Sequence, residues 1–196
     1  MRFTAIILVI CFYTLSSCNN TNENKKAEVA NTAVTTPAIP PQSALGNNGT
    51  GKLMAVLSDY YMLKNALVAT DAAKADEAGN KLMTSIDSMQ TSLATDSTNR
   101  TALQPYIDTI KQQDKEMLAL KDETCEKKRI YFSKISDQVY NIVKSAKLQN
   151  AGIYHQFCPM AFNDKGGYWL SAEAEIKNPY FGKKMLECGE TVDSLK

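Results

Sequence analysis

From Leu53 to about Gln149, apolar side chains recur three and four positions apart, and no other feature constrains the fold as strongly. A half-buried strand alternates every second residue, whereas one face of a helix repeats every three or four. The first stripe, Leu53, Val56, Leu57, Tyr60, Leu63 and Leu67, predicts a helix over Leu53–Thr70. Ala78, Leu82, Ile86, Met89 and Leu93 predict a second over Ala72–Ala94. After the polar break Thr95–Asn99, Leu103, Ile107, Ile110, Met117 and Leu120 predict a third over Arg100–Lys121. Pro105 is placed close to its start, where a missing N–H is tolerated. Phe132, Ile135, Val139, Ile142 and Ala146 form the seam of a fourth over Thr124–Leu148.

Four amphipathic helices with short polar joints predict an all-α protein, an up-down four-helix bundle. Met and Tyr on the stripes are expected as core side chains. Cys125 is expected as a free or buried thiol. The cluster Glu126-Lys127-Lys128-Arg129 is expected as a solvated face.

The stretch before the bundle has a different character. Arg2 is followed by a short apolar run, Ile6–Tyr13, too short to span a bilayer, and then by Leu15-Ser16-Ser17-Cys18. That order predicts a bacterial lipoprotein signal over residues 1–17. Cys18 becomes the lipidated mature N-terminus and Cys11 leaves with the signal. An ordinary secretory signal with an incidental Cys is the plainer alternative. Asn19 after the Cys favours the outer membrane over the inner. Residues 18–51, rich in Asn, Thr, Ala and Pro with no hydrophobic period, predict a disordered tether that ends at Gly51. Residues 52–196 form the predicted domain. The formal charge of the 196-residue chain is +1, which argues against nucleic acid as a partner. No dinucleotide-binding, P-loop or zinc-protease motif is present.

After Gly152 the pattern changes again. The last stretch holds the only His, His155, and the only Trp, Trp169, with Cys158, Met160, Met185 and Cys188. Soft sulfur ligands with an imidazole suit copper, above all Cu(I). Asn178 and Pro179 read as the N-cap and first residue of a short helix that Gly189 ends, which would set Met185 and Cys188 on one helical face. Two ligand clusters result, one on a Pro-stiffened loop and one on that helix. The competing reading is a disulfide. Outside the cytoplasm two Cys ordinarily pair. Cys158–Cys188 would close a loop of about thirty residues, worth roughly 3–4 kcal/mol.

Tyr154-His155-Gln156-Phe157-Cys158-Pro159-Met160-Ala161, Trp169-Leu170-Ser171, Glu175-Ile176, Asn178-Pro179-Tyr180-Phe181-Gly182, Met185 and Cys188-Gly189 together resemble one bacterial family. It is a domain-of-unknown-function family, found alone in lipoproteins and appended to periplasmic adaptor subunits of copper and silver efflux systems. Tyr60, Leu63, Leu67, Arg129, Phe132 and Ser136 also fit its looser helical pattern. The resemblance implies handling of copper-group metals, Cu(I) or Ag(I), outside the cytoplasm. It implies Cys158, Met160, Met185 and Cys188 as ligands. At His155 the family accepts other residues. Shorter heavy-metal modules carry Cys-Pro-Met-His, and here Ala161 stands where that His would be.

Three function classes remain. The first is a metal-binding envelope protein that acts as a copper chaperone, buffer or efflux accessory. The second is an interaction module without metal, which docks on an efflux or envelope partner and is stapled by Cys158–Cys188. The third, a thiol oxidoreductase or Cys–His enzyme, is weakest. There is no C-x-x-C, and no third residue orients His155. The chain is therefore expected not to be an enzyme.

Overall fold

The computed structural model describes residues 39–195. The signal segment, Cys18 and most of the expected tether lie outside the described residues. Four long helices follow: α1 (Gly46–Ala69), α2 (Ala72–Ser92), α3 (Ser97–Leu118) and α4 (Glu126–Ser145). Two of their starts are set by carboxylate caps. Asp71 accepts from the Lys74 N–H and Asp96 from the Asn99 N–H, each at 3.0 Å. At the C-terminal end of α1, Thr70 takes a left-handed conformation and returns its N–H to Ala66 and Leu67 carbonyls. The stripes read from the sequence are the stripes buried, except that Leu120 lies past the end of α3 and is half-buried. Leu53, Tyr60, Leu67, Leu82, Ile86, Met89, Ile107, Met117, Phe132, Ile135, Val139 and Ile142 are all shielded from solvent. Each large apolar side chain so placed contributes about 1.5–3 kcal/mol.

Five expectations need correction. The protein is not all-α. A three-stranded antiparallel sheet follows the bundle: β1 (Ile153–Cys158), β2 (Gly167–Ser171) and β3 (Glu190–Leu195), in the order β2-β1-β3. The register pairs Gln156 with Trp169 and Cys158 with Gly167. The second correction is the short helix over Asn178–Gly189, which is reduced to one turn of 3-10 helix at Gly182–Lys184. Met185 and Cys188 therefore do not share a helical face. Gly189 instead lies where the chain passes tightly over β1 and Trp169; a Cβ there would meet the Phe157 carbonyl at 2.7 Å.

Third, the charge cluster is not all solvated: Lys128 is 0% exposed and Arg129 6%. Fourth, the expected tether is ordered before Gly51. Gln42 pairs with Gln149 in an antiparallel bridge, and α1 begins at Gly46. Thr50 holds that first turn, its hydroxyl 2.7 Å from the Gly46 carbonyl. Pro105, too, sits within α3 rather than at its first turn.

Candidate functional site

Arg129 organises the C-terminal stretch. It projects from the first turns of α4, and its Nε donates to the Pro179 carbonyl at 2.8 Å. Its Nη2 donates to the Leu67 carbonyl at 3.0 Å and to the Thr70 hydroxyl at 2.9 Å. These acceptors belong to the C-terminal end of α1, where the partial negative charge of the helix favours a cation. The Asn178-Pro179-Tyr180-Phe181-Gly182 motif is built around this guanidinium. Asn178 Oδ1 accepts from the Tyr180 and Phe181 N–H groups, and its Nδ2 donates to the Cys188 carbonyl at 2.7 Å. Tyr180 inserts edge-on against Trp169 and Phe162. Its hydroxyl donates to the Tyr168 carbonyl. Gly182 has φ +55, and a Cβ there would meet the Val68 carbonyl at 2.9 Å. The motif is architecture: it docks the segment that carries Cys188.

The docked segment brings Cys188 to Cys158. The two sulfurs, thirty residues apart, stand 2.8 Å from one another, both as free thiols. Cys158 is the last residue of β1 and fully buried; Cys188 is half-buried. The hydrogen bond to Cys158, with burial behind it, pushes the Cys188 thiol up to about 11, so it holds its proton at neutral pH. Met185 and Cys188 line one shallow surface depression with Leu186 and Glu187. Met160, two residues after Cys158, is 47% exposed. Directly after it, Phe162, Asn163 and Asp164 run through three consecutive left-handed residues, φ 55, 58 and 62. Such residues cost roughly 1–2 kcal/mol each, less for Asn and Asp. Phe162 packing on Tyr180 offsets part of that cost.

His155 is not with the sulfurs. β1 pairs regularly with β2, so residues three apart point to opposite faces of the sheet. His155 stacks between Tyr140 of α4, ring centroids 4.1 Å apart, and Tyr168 of β2 at 5.0 Å. Burial lowers its pKa. It lines a separate surface cavity with Asp137 and Asp193. Among the described residues, no group of three or more His, Cys, Asp or Glu side chains is placed to hold a metal ion. Thioether sulfurs fall outside that set. No helix among them is long and apolar enough to cross a membrane.

Residues 56–151 match a family described as a protein of unknown function (DUF3347). The matched stretch covers just under half of the chain, running from α1 to the residues just before β1; the sulfur pair lies beyond it. No curated protein and no solved structure matches the chain.

Sequence reading missed Lys64 as a participant. Its buried Nζ, 3.2 Å from the Ser171 hydroxyl, ties α1 to the end of β2, and burial lowers its pKa. Lys128 and Arg129 carried a legible signal. Lys128 stands four residues before Phe132, on the continuation of the fourth stripe, and Arg129 precedes Phe132 by three.

Proposed function

We propose that this is an envelope lipoprotein, anchored through Cys18, whose C-terminal motif binds soft metal ions, Cu(I) before Ag(I), as an accessory to copper handling or efflux. The observation that carries the reading is the convergence of Cys158 and Cys188 on one point, with Met185 beside Cys188 and Met160 exposed next to Cys158. Cys158 and Cys188 are the ligands the geometry favours, with Met185 and Met160 as thioether donors. His155 stands apart and is assigned no ligand role. Thiolate and thioether donors suit Cu(I) and offer nothing to Mg(II) or Ca(II). The donor set fits with one adjustment. At metal–sulfur distances near 2.3 Å, two thiolates on one ion stand roughly 4 Å apart, so the pair must open by about 1 Å. The Cys188 backbone is held by Asn178, so rotation of its half-buried side chain must supply the opening.

The sulfur contact also supports a second reading, an interaction module stapled by a Cys158–Cys188 disulfide. One experiment separates the two: Cu(I) titration of the thiol-reduced protein beside Cys158→Ser/Cys188→Ser and Met160→Leu/Met185→Leu. Metal binding is expected to vanish in the Cys variant and to weaken at least tenfold in the Met variant. Apparent affinity should also rise at least tenfold per pH unit near neutrality, because Cys188 must release its proton to bind. Absence of Cu(I) binding by the reduced wild type would leave the stapled module as the reading.

A further inference from the structure

Asp114 of α3 is fully buried, and neither of its carboxylate oxygens has a hydrogen-bond partner. It faces Gly79 of α2, where a Cβ would come within 2.9 Å of Oδ1 and would crowd Leu118 and Met117 as well. The two helices therefore close on the carboxyl with no side chain between them. Gln113, the preceding residue, is also buried with its Oε1, an acceptor, unpaired.

The charged groups around this seam are Asp76, three residues before Gly79 on α2, Lys128 of α4, and the partly exposed pair of Lys111 on α3 and Asp87 on α2, which bond one another at 2.6 Å. Lys128 Nζ bonds Asp76 Oδ1 at 2.6 Å, the Leu120 carbonyl at 3.1 Å and the Met117 carbonyl at 3.3 Å. An ammonium has three protons to donate, and all three are taken. Asp76 and Lys128 cancel in charge. An ionised Asp114 adds a negative charge that nothing nearby neutralises.

We propose that Asp114 is a proton-operated latch on the α2–α3 seam: the neutral acid lets the two helical hairpins close on one another, and ionisation loosens them. Burial, reinforced by the Asp76 carboxylate, raises its pKa to about 7. In the unfolded chain the group titrates near about 4. Between those values the folded protein holds a proton that the unfolded chain has lost. Stability is therefore greatest below about pH 4 with respect to this group, and falls as pH rises through about 7.

The test is equilibrium unfolding of the full chain from pH 4.5 to 8.5, wild type beside Asp114→Asn. The Asn variant keeps the shape and removes the titration. The wild-type unfolding constant, divided by that of the variant, is expected to rise by up to about tenfold per pH unit below pH 7 and to level off above it. His155, with its lowered pKa, acts in the opposite sense in both proteins and cancels in the ratio. Amide exchange in α2 and α3, corrected for its intrinsic pH dependence, should accelerate as pH rises towards about 7 and level off above it, in the wild type alone. A ratio that stays flat across the range overturns the latch. So does a wild-type Asp114 carboxyl carbon that titrates near 4 by NMR, a measurement that decides the matter even if the variant fails to fold.

Discussion

Arg129 shows how far one side chain reaches. Its guanidinium ties the C-terminal end of α1, the start of α4 and the Pro179 loop, and each acceptor is a neutral oxygen. Arg129→Leu would leave the Pro179 carbonyl without this donor in a buried place and the Leu67 carbonyl with the Thr70 N–H alone, at a cost of about 1–3 kcal/mol. Arg129→Lys keeps the charge but loses the fork, so it should fall between. Denaturant unfolding of the three proteins checks the order. Equal midpoints would show that the clamp contributes nothing. Of the Tyr60, Leu63, Leu67, Arg129, Phe132 and Ser136 positions singled out by resemblance, Arg129 meets the Leu67 carbonyl, and Tyr60 meets both Ser136 and Phe132. The Tyr60 hydroxyl is 2.7 Å from that of Ser136, and its ring stacks on Phe132 at 5.3 Å. Asp114 is marked in the sequence only as a gap: it stands four residues after Ile110 and three before Met117, where the third stripe calls for an apolar side chain. It sits among polar neighbours in the sequence, and only its packing against Gly79 shows that it is buried.

At the scale of elements, the helices were legible and the sheet was not. The α4 stripe occupies one face for five turns, so phase errors average out. Ile135→Asp would place an unpaired charge at a fully buried position and should unfold the bundle at a cost of several kcal/mol, read as loss of helical circular dichroism at ambient temperature. A variant that melts like the wild type would mean that α4 packs in another phase. β1 hides because six residues of mixed burial carry too short a period to separate from a loop. β3 hides because nearly all of it is exposed, and its pairing with β1 is broken by a register shift. The Asn178–Gly182 segment was read as a helix start because Asn-Pro is also the signature of a turn. Asn178 does cap two N–H groups, but the chain then turns to pass Arg129 instead of winding on. Ligand identities were legible as residue types, and the Cys158–Cys188 approach follows from folding. The separation of His155 required knowing that it lay on a strand.

On the scale of the whole molecule, the N-terminal segment and the folded domain make separate claims. The signal pattern ending in Cys18 predicts cleavage before that residue and a diacyl or triacyl anchor on it. Mass spectrometry of the membrane fraction should find an acylated N-terminal Cys18; intact or fully aqueous protein would remove the anchor from the reading. The sulfur chemistry does not depend on that outcome, because the domain folds around its own core.

The bridge between Gln42 and Gln149 gives the domain an axial polarity. The described chain enters beside the last turn of α4, where Ala44 accepts from Asn99 and donates to Ala146. From there β1 runs back along the bundle, and by Cys158 it has reached the aromatic cluster of Phe162 and Tyr180, level with the opening turns of α4. α4 has 20 residues, and such a helix is about 30 Å long. Inlet and sulfur pair are therefore at opposite poles. A partner that approaches the pole opposite Gln42 meets Met185 and the half-buried Cys188, while Cys158 stays fully buried.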